Sequence, residues 1–73
     1  MNTHQRLLDT FPTAGRLSAE TGIPVSTAKY WKRTGHIHDP SRWAVVWEAA
    51  TQRGWLYSIE ETAVGLAEDY NNE

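Results

Sequence analysis

Between residues 25 and 34 the chain sets Val25, Ser26, Lys29, Tyr30 and Arg33 on one side of a helical projection, with Lys32 at the flank. Ala28 and Trp31, three apart, share the opposite side. Ammonium and guanidinium groups neutralise a polyanion, while a methyl-bearing side chain, a hydroxyl and a phenol can tell one heteroaromatic edge from another. That is the composition expected of a helix lying in the major groove with its N-terminal side chains at base edges. From the residues alone, Tyr30 can equally be drawn partly into the core, and a basic helix face can simply be solvated.

Other chemistry finds little support. The chain has no cysteine, hence no disulfide framework, no thiolate nucleophile and no cluster of soft metal ligands. No glycine-rich phosphate loop is present, and nothing places Ser, His and Asp within mutual reach. His36 and His38 stand two apart with His4 remote, and further ligands are missing from their neighbourhood, so no metal site is expected. The two loop histidines, His36 and His38, read as solvated groups or as neighbours of a phosphate backbone. Neither enzymatic activity nor a cofactor is expected.

Short helices separated by glycine and proline must position these groups, and no strand-like alternation is visible. The first spans residues 3–10, carries Leu7, Leu8 and Phe11, and stops before Pro12. The second starts near Thr13 and ends where Gly22 supplies a positive φ. Residues 25–34 form the third, closed by Gly35. Residues 36–39 read as a polar link, after which Asp39 and Pro40 pair an N-cap with the residue best suited to the first helical position. The fourth helix is expected over 40–53, ending at Gly54. Ser58 and Glu61 form a capping box for a fifth, bearing Ile59, Ala63, Leu66 and Ala67. The fold class is all-α: a compact domain of four to five helices over residues 1–67, with a polar acidic tail, 68–73, expected to fray.

Charge is unevenly distributed. The net value is −2, which alone would disfavour a phosphate-rich partner. Residues 1–42, however, hold six Lys or Arg against three Asp or Glu, whereas residues 43–73 hold one against six. A nucleic acid would meet the N-terminal half. The N-terminus lacks the apolar stretch of a signal peptide, and no apolar run approaches the ~20 residues that span a bilayer. A soluble cytoplasmic, nucleoid-associated protein is expected, with no membrane partner.

Two helices crossing through a tight turn need a small residue at their contact, a glycine in the turn, and apolar residues aimed inward from both sides. Ser18, Gly22, and Leu17, Ile23, Ala28 and Trp31 meet those needs. The run Leu17-Ser-Ala-Glu-Thr-Gly-Ile-Pro-Val-Ser-Thr-Ala-Lys-Tyr-Trp31 resembles the helix-turn-helix of the Cro and lambda-repressor superfamily. With Lys32-Arg-Thr-Gly-His-Ile-His-Asp-Pro-Ser-Arg-Trp43 and Ala49-Ala-Thr-Gln-Arg-Gly54, it is most similar to the small prophage-associated carph-isopro proteins, over roughly residues 14–67. The resemblance implies a Cro-like transcriptional regulator, a repressor by default, that binds double-stranded DNA as a homodimer on an inverted repeat. Base readers would map onto Val25, Ser26, Lys29 and Tyr30, and phosphate contacts onto Thr13, Arg16, Thr27, Lys32 and Arg33. Val25 stands where a glutamine is often found, so an adenine contact would become an apolar contact with a thymine methyl. Thr21 stands where an apolar residue is more usual and should loosen the packing slightly.

The C-terminal half offers a different surface. Trp43, Val46, Trp47 and Ala50 recur at i, i+3, i+4 and i+7, and a chain of 73 residues can hardly bury four tryptophans unaided. Part of this surface, Trp43 and Trp47 with Trp55, Leu56 and Tyr57, is expected at a homodimer interface, where aromatic residues are enriched. The bland reading is a monomer core with one tryptophan partly exposed. Two rival functions stay open: a protein-binding adaptor or antirepressor that keeps the fold but docks a partner through this half, and an accessory architectural DNA binder.

Overall fold

The computed structural model describes residues 2–71, and among them the structure is helical throughout, with no strand. In chain order it comprises α1 (Thr3–Leu8), α2 (Ala14–Thr21), α3 (Val25–Thr34), a 3₁₀ turn (Pro40–Arg42), α4 (Trp43–Thr51) and α5 (Ile59–Asn71). None of these helices is long and apolar enough to cross a membrane. Asn72 and Glu73 lie outside the described residues.

Several boundaries are set by side-chain caps. Asn2 accepts from the Gln5 amide at the start of α1, and Thr13 from the Arg16 amide at the start of α2. At α5 the box is reciprocal: Glu61 N–H donates to Ser58 Oγ (3.1 Å), and Ser58 N–H to Glu61 Oε1 (3.3 Å). Both α2 and α3 end on a left-handed glycine, Gly22 at φ 79° and Gly35 at φ 69°. At Gly35 the left-handed backbone favours glycine, and the Gln5 side-chain amide lies over the space a β-carbon would take.

The expected fourth helix is divided. Asp39 caps a single 3₁₀ turn at Pro40, and regular α-helix begins only at Trp43. Its inward side is Val46, Ala49 and Ala50, while Trp43 and Trp47 stay half-buried at the edges. In α5 the inward residues are Thr62 and Leu66, and Ile59 and Ala67 are exposed. One core holds the chain together: Leu7, Leu8 and Phe11 from the first segment, Leu17 and Ile23, Ala28 and Trp31, Ile37, then Val46, Ala50 and Leu66.

The largest departure from expectation concerns the histidines and the link. Residues 36–39 are not a solvated connection, because His36 and Ile37 are buried, and His4 is fully buried. Ile37 N–H donates to His4 Nδ1 (3.0 Å), and the opposite ring nitrogen, Nε2, carries the hydrogen that meets the Leu66 carbonyl (2.8 Å). A neutral imidazole thus satisfies a donor from the link and an acceptor from α5 at once. The His4 and His36 rings lie stacked at 4.1 Å.

The acidic end of the chain is likewise better anchored than its composition suggests. Helix α5 is helical as far as Asn71. Thr3 N–H donates to Asp69 Oδ2 (2.6 Å), and Tyr70 stacks on His36 at 5.0 Å. The Thr3 amide holds the Asp69 carboxyl below the ordinary carboxylate range, against the opposing effect of partial desolvation, with the Thr3 hydroxyl adding to the lowering. A group lowered on folding contributes stability above its unfolded pKa, about 4, and loses it as pH falls through the folded value. Acidification below about pH 4 should therefore free the Thr3 amide to exchange before the core opens. In Asp69→Ala, which deletes the acceptor, that amide should exchange rapidly at neutral pH already; unchanged protection in the variant would contradict the assignment.

Candidate nucleic-acid interface

Helix α3 owes its position to the connection before it. Gly22 N–H closes α2 by donating to the Ser18 carbonyl, and the Ser18 hydroxyl reaches forward to the Ile23 carbonyl (2.6 Å). Thr21 does not loosen this corner. Its hydroxyl donates to the Leu17 carbonyl (2.6 Å) and accepts from Ile23 N–H (3.3 Å), so it satisfies a turn amide that an apolar residue would leave open. Pro24 precedes α3 without a side-chain cap, and Ala28 and Trp31 seat the helix on the core at 0% and 2% exposure.

The opposite side of α3 is open to solvent. Val25 (47%) and Tyr30 (46%) are exposed large apolar groups, and Ser26, Lys29 and Arg33 are exposed beside them. No acidic residue occurs within the helix. The Arg33 guanidinium carbon lies 5.2 Å from the Tyr30 ring centre, a cation–π distance. Burial and surface contact competed for Tyr30 in the sequence; in the folded chain the ring is out.

The five residues assigned to phosphate contact do not share one environment. Arg16 and Arg33 are exposed, as is Thr13, whose hydroxyl oxygen caps α2 at 3.1 Å from the Arg16 amide. Thr27 is half-buried. Lys32 is turned inward: its ammonium donates to the carbonyls of Phe11 and Leu8, tying α3 to the end of the first segment. A cation there meets carbonyls at the C-terminal end of α1 and just beyond it, where the helix's partial negative charge gathers, and so Lys32 is structural before it is anything else. Sequence spacing placed it at the flank of the basic face, and a side chain that long can turn either way.

Charges elsewhere are largely consumed by the fold. Arg53, beyond α4, grips Glu20 of α2 through two hydrogen bonds, Nε to Oε1 at 2.7 Å and Nη2 to Oε2. That pairing holds the Glu20 carboxyl below the ordinary range. It also neutralises an acid that would otherwise lie on the helix leading to α3. Asp39 is lowered by the hydrogen bonds from the Ser41 hydroxyl and amide, with Arg42 3.4 Å away.

The tryptophan-rich half is tidier than its composition suggests. Trp43, Trp47 and Trp55 are half-buried, and each indole N–H finds a partner within the chain: the Ile37 carbonyl (3.3 Å), the Tyr57 carbonyl (3.0 Å) and the Thr62 hydroxyl (2.9 Å). Tyr57 and Trp55 pack against the Arg6 guanidinium. Of the five residues expected at an interface, Leu56 stands apart at 91% exposed. Separately, Trp43, Ala44 and Trp47 line a shallow groove of about 180 Å3 together with Ile59 and Ala63.

Against models of protein families, curated proteins and solved structures, nothing matches this chain.

Proposed function

We propose that the protein is a Cro-like, sequence-specific DNA-binding transcriptional regulator in which α2 and α3 form a helix-turn-helix and α3 enters the major groove. One observation carries the reading: Val25, Ser26, Lys29, Tyr30 and Arg33 are all exposed on the side of α3 that faces away from Ala28 and Trp31. A helix presenting methyl, hydroxyl, ammonium, phenol and guanidinium groups, with no carboxylate among them, suits base edges flanked by phosphates. Val25 and Ser26, at the N-terminal end, together with Lys29 and Tyr30, supply discrimination. Arg33, Arg16 and Thr13 supply phosphate contacts. Lys32 adds positive potential but leaves the contact set, since its ammonium is held by Phe11 and Leu8.

Size supports a two-copy arrangement. The described chain measures 26 × 25 × 21 Å, so two copies side by side can set their recognition helices near the ~34 Å that separates successive major grooves. Leu56 with Tyr57 and the half-buried tryptophans form the homodimer surface of this proposal. Sedimentation should give a dimer that Leu56→Asp shifts towards monomer; a wild-type monomer at micromolar concentration would contradict the homodimer. Repression by occlusion of a promoter is the default mode for a domain of this size.

The DNA reading is tested by titrating the protein with fragments of its own locus and with random duplex at two salt concentrations. Tight, salt-sensitive binding to one fragment, well above random duplex, is expected. Absence of binding at low salt would discard it. A second reading, an adaptor that docks a protein through the acidic half, is favoured by the exposure of Leu56 and by an apolar groove lined by Trp43, Trp47 and Ile59; that surface would then be occupied by a partner and α3 by nothing.

A further inference from the structure

The segment that follows α3 is fastened from two other helices. From α1, His4 receives the Ile37 amide and stacks on His36 at 4.1 Å. From α5, Tyr70 stacks on His36 at 5.0 Å, and its hydroxyl reaches the His38 carbonyl at 3.5 Å. Gly35, His36 and Ile37 are all buried. Out of this fastened segment His38 is exposed, and its ring lies stacked on Tyr30 of α3, centroids 4.8 Å apart and planes 29° from parallel. On its other contacts the His38 ring meets the edge of His36 at 4.6 Å, and its Nε2 lies 2.9 Å from the Thr34 hydroxyl. That hydroxyl also lies 3.0 Å from the Tyr30 carbonyl, which can only accept; with the Thr34 proton directed there, His38 Nε2–H is the donor.

We infer that His38 is a positioning residue for DNA recognition: it holds the Tyr30 ring in one orientation before DNA arrives and thereby sets the preference at the base pair that Tyr30 reads. The inference rests on the reading of α3 proposed above. An exposed tyrosine with free side-chain torsions must be ordered on binding, and immobilising one such side chain lowers affinity by about three- to tenfold. A ring already stacked has met that cost in folding. The fastening by α1 and α5 matters for the same reason, because a support on a loose loop would itself need ordering. Recognition at α3 thus depends on a residue outside the helix-turn-helix, which a sequence of readers on α3 alone does not include.

The test uses the tightest duplex selected from a randomised pool, with random duplex as reference. His38→Ala should weaken the selected duplex about three- to tenfold and leave random duplex unchanged. His38→Phe, which keeps a flat ring at the same place, should restore most of the loss. In a Tyr30→Ala background, His38→Ala should cost nothing further, since the support then has nothing to hold. Equal losses on selected and random duplex, or additive losses in the double variant, would overturn the inference. Nuclear Overhauser contacts between the Tyr30 and His38 rings in the free protein separate the two layers of argument. Their absence in a protein that still discriminates DNA would overturn the positioning role alone. Their presence in a protein that discriminates no duplex would overturn the DNA reading, and the role of His38 with it.

Discussion

Trp31→Ala is expected to remove about 3–5 kcal/mol of folding stability and to leave the domain largely unfolded at physiological temperature. Trp31 is 2% exposed and the largest side chain of the core, shared with Leu7, Leu8, Phe11 and Leu17. Deleting it forfeits the transfer energy of the indole and opens a cavity between the first segment, α2 and α3, and a chain this short has little slack with which to collapse around it. Domains hold roughly 0.05–0.15 kcal/mol per residue, so the loss is comparable with the whole stability of 73 residues. Urea titration followed by far-ultraviolet circular dichroism measures it. Trp31→Phe should keep a measurable folded baseline. A Trp31→Ala protein as stable as the parent would contradict the placement of α3 on this core.

The second large effect concerns recognition. Lys29→Ala and Tyr30→Ala should each cost about 1–3 kcal/mol on the preferred duplex and relax preference at one base pair, while the affinity for random duplex changes little. Arg33→Ala should behave differently, weakening all sequences alike and reducing the salt slope by about one phosphate's worth of released counterions, roughly 0.9. The contrast follows from position: Lys29 and Tyr30 sit one turn in from the N-terminal end of the exposed face, whereas Arg33 lies at its far end, against Tyr30. Uniform losses for Lys29→Ala and Tyr30→Ala on both duplexes would reassign them from base edges to phosphate.

Much of this architecture was legible because it is written in local signals. The Ser58–Glu61 box, the Asp39–Pro40 start and the left-handed glycines at 22 and 35 need only neighbours along the chain. The inward set of α2 and α3 followed from spacing and was found buried as expected. What escaped was set by long-range packing. His4 falls in phase with Leu7, Leu8 and Phe11, at i, i+3, i+4 and i+7, so the helical pattern held the clue; residue type argued the other way, since histidine is seldom fully buried. The link 36–39 looked polar because its two histidines are polar, yet one of them completes a stack with His4 and Tyr70. Composition also gave no sign that Asp69 and Tyr70 meet residues more than thirty positions away. On α3 the spacing predicted which side chains face solvent, and these are exposed, but the inward turn of Lys32 and the stacking of Tyr30 on His38 required the folded chain.

The tryptophans teach the same lesson in reverse. Three of them looked like surplus apolar surface awaiting a partner. In the fold each spends its indole N–H on an internal acceptor, which leaves Leu56 as the most exposed of the residues assigned to an interface. The apolar surface left on this half is Leu56 and, separately, a groove walled by Trp43 and Trp47.

Whether the exposed side of α3 meets DNA can be read by amide chemical-shift mapping. The ¹⁵N-labelled protein is titrated with its selected duplex and the shifts are followed residue by residue. The largest changes are expected at Val25, Ser26, Lys29, Tyr30 and Arg33, smaller ones at Thr13 and Arg16, and little at Leu56 or Val64. No change on α3 at saturating duplex, or changes confined to residues 55–64, would contradict it.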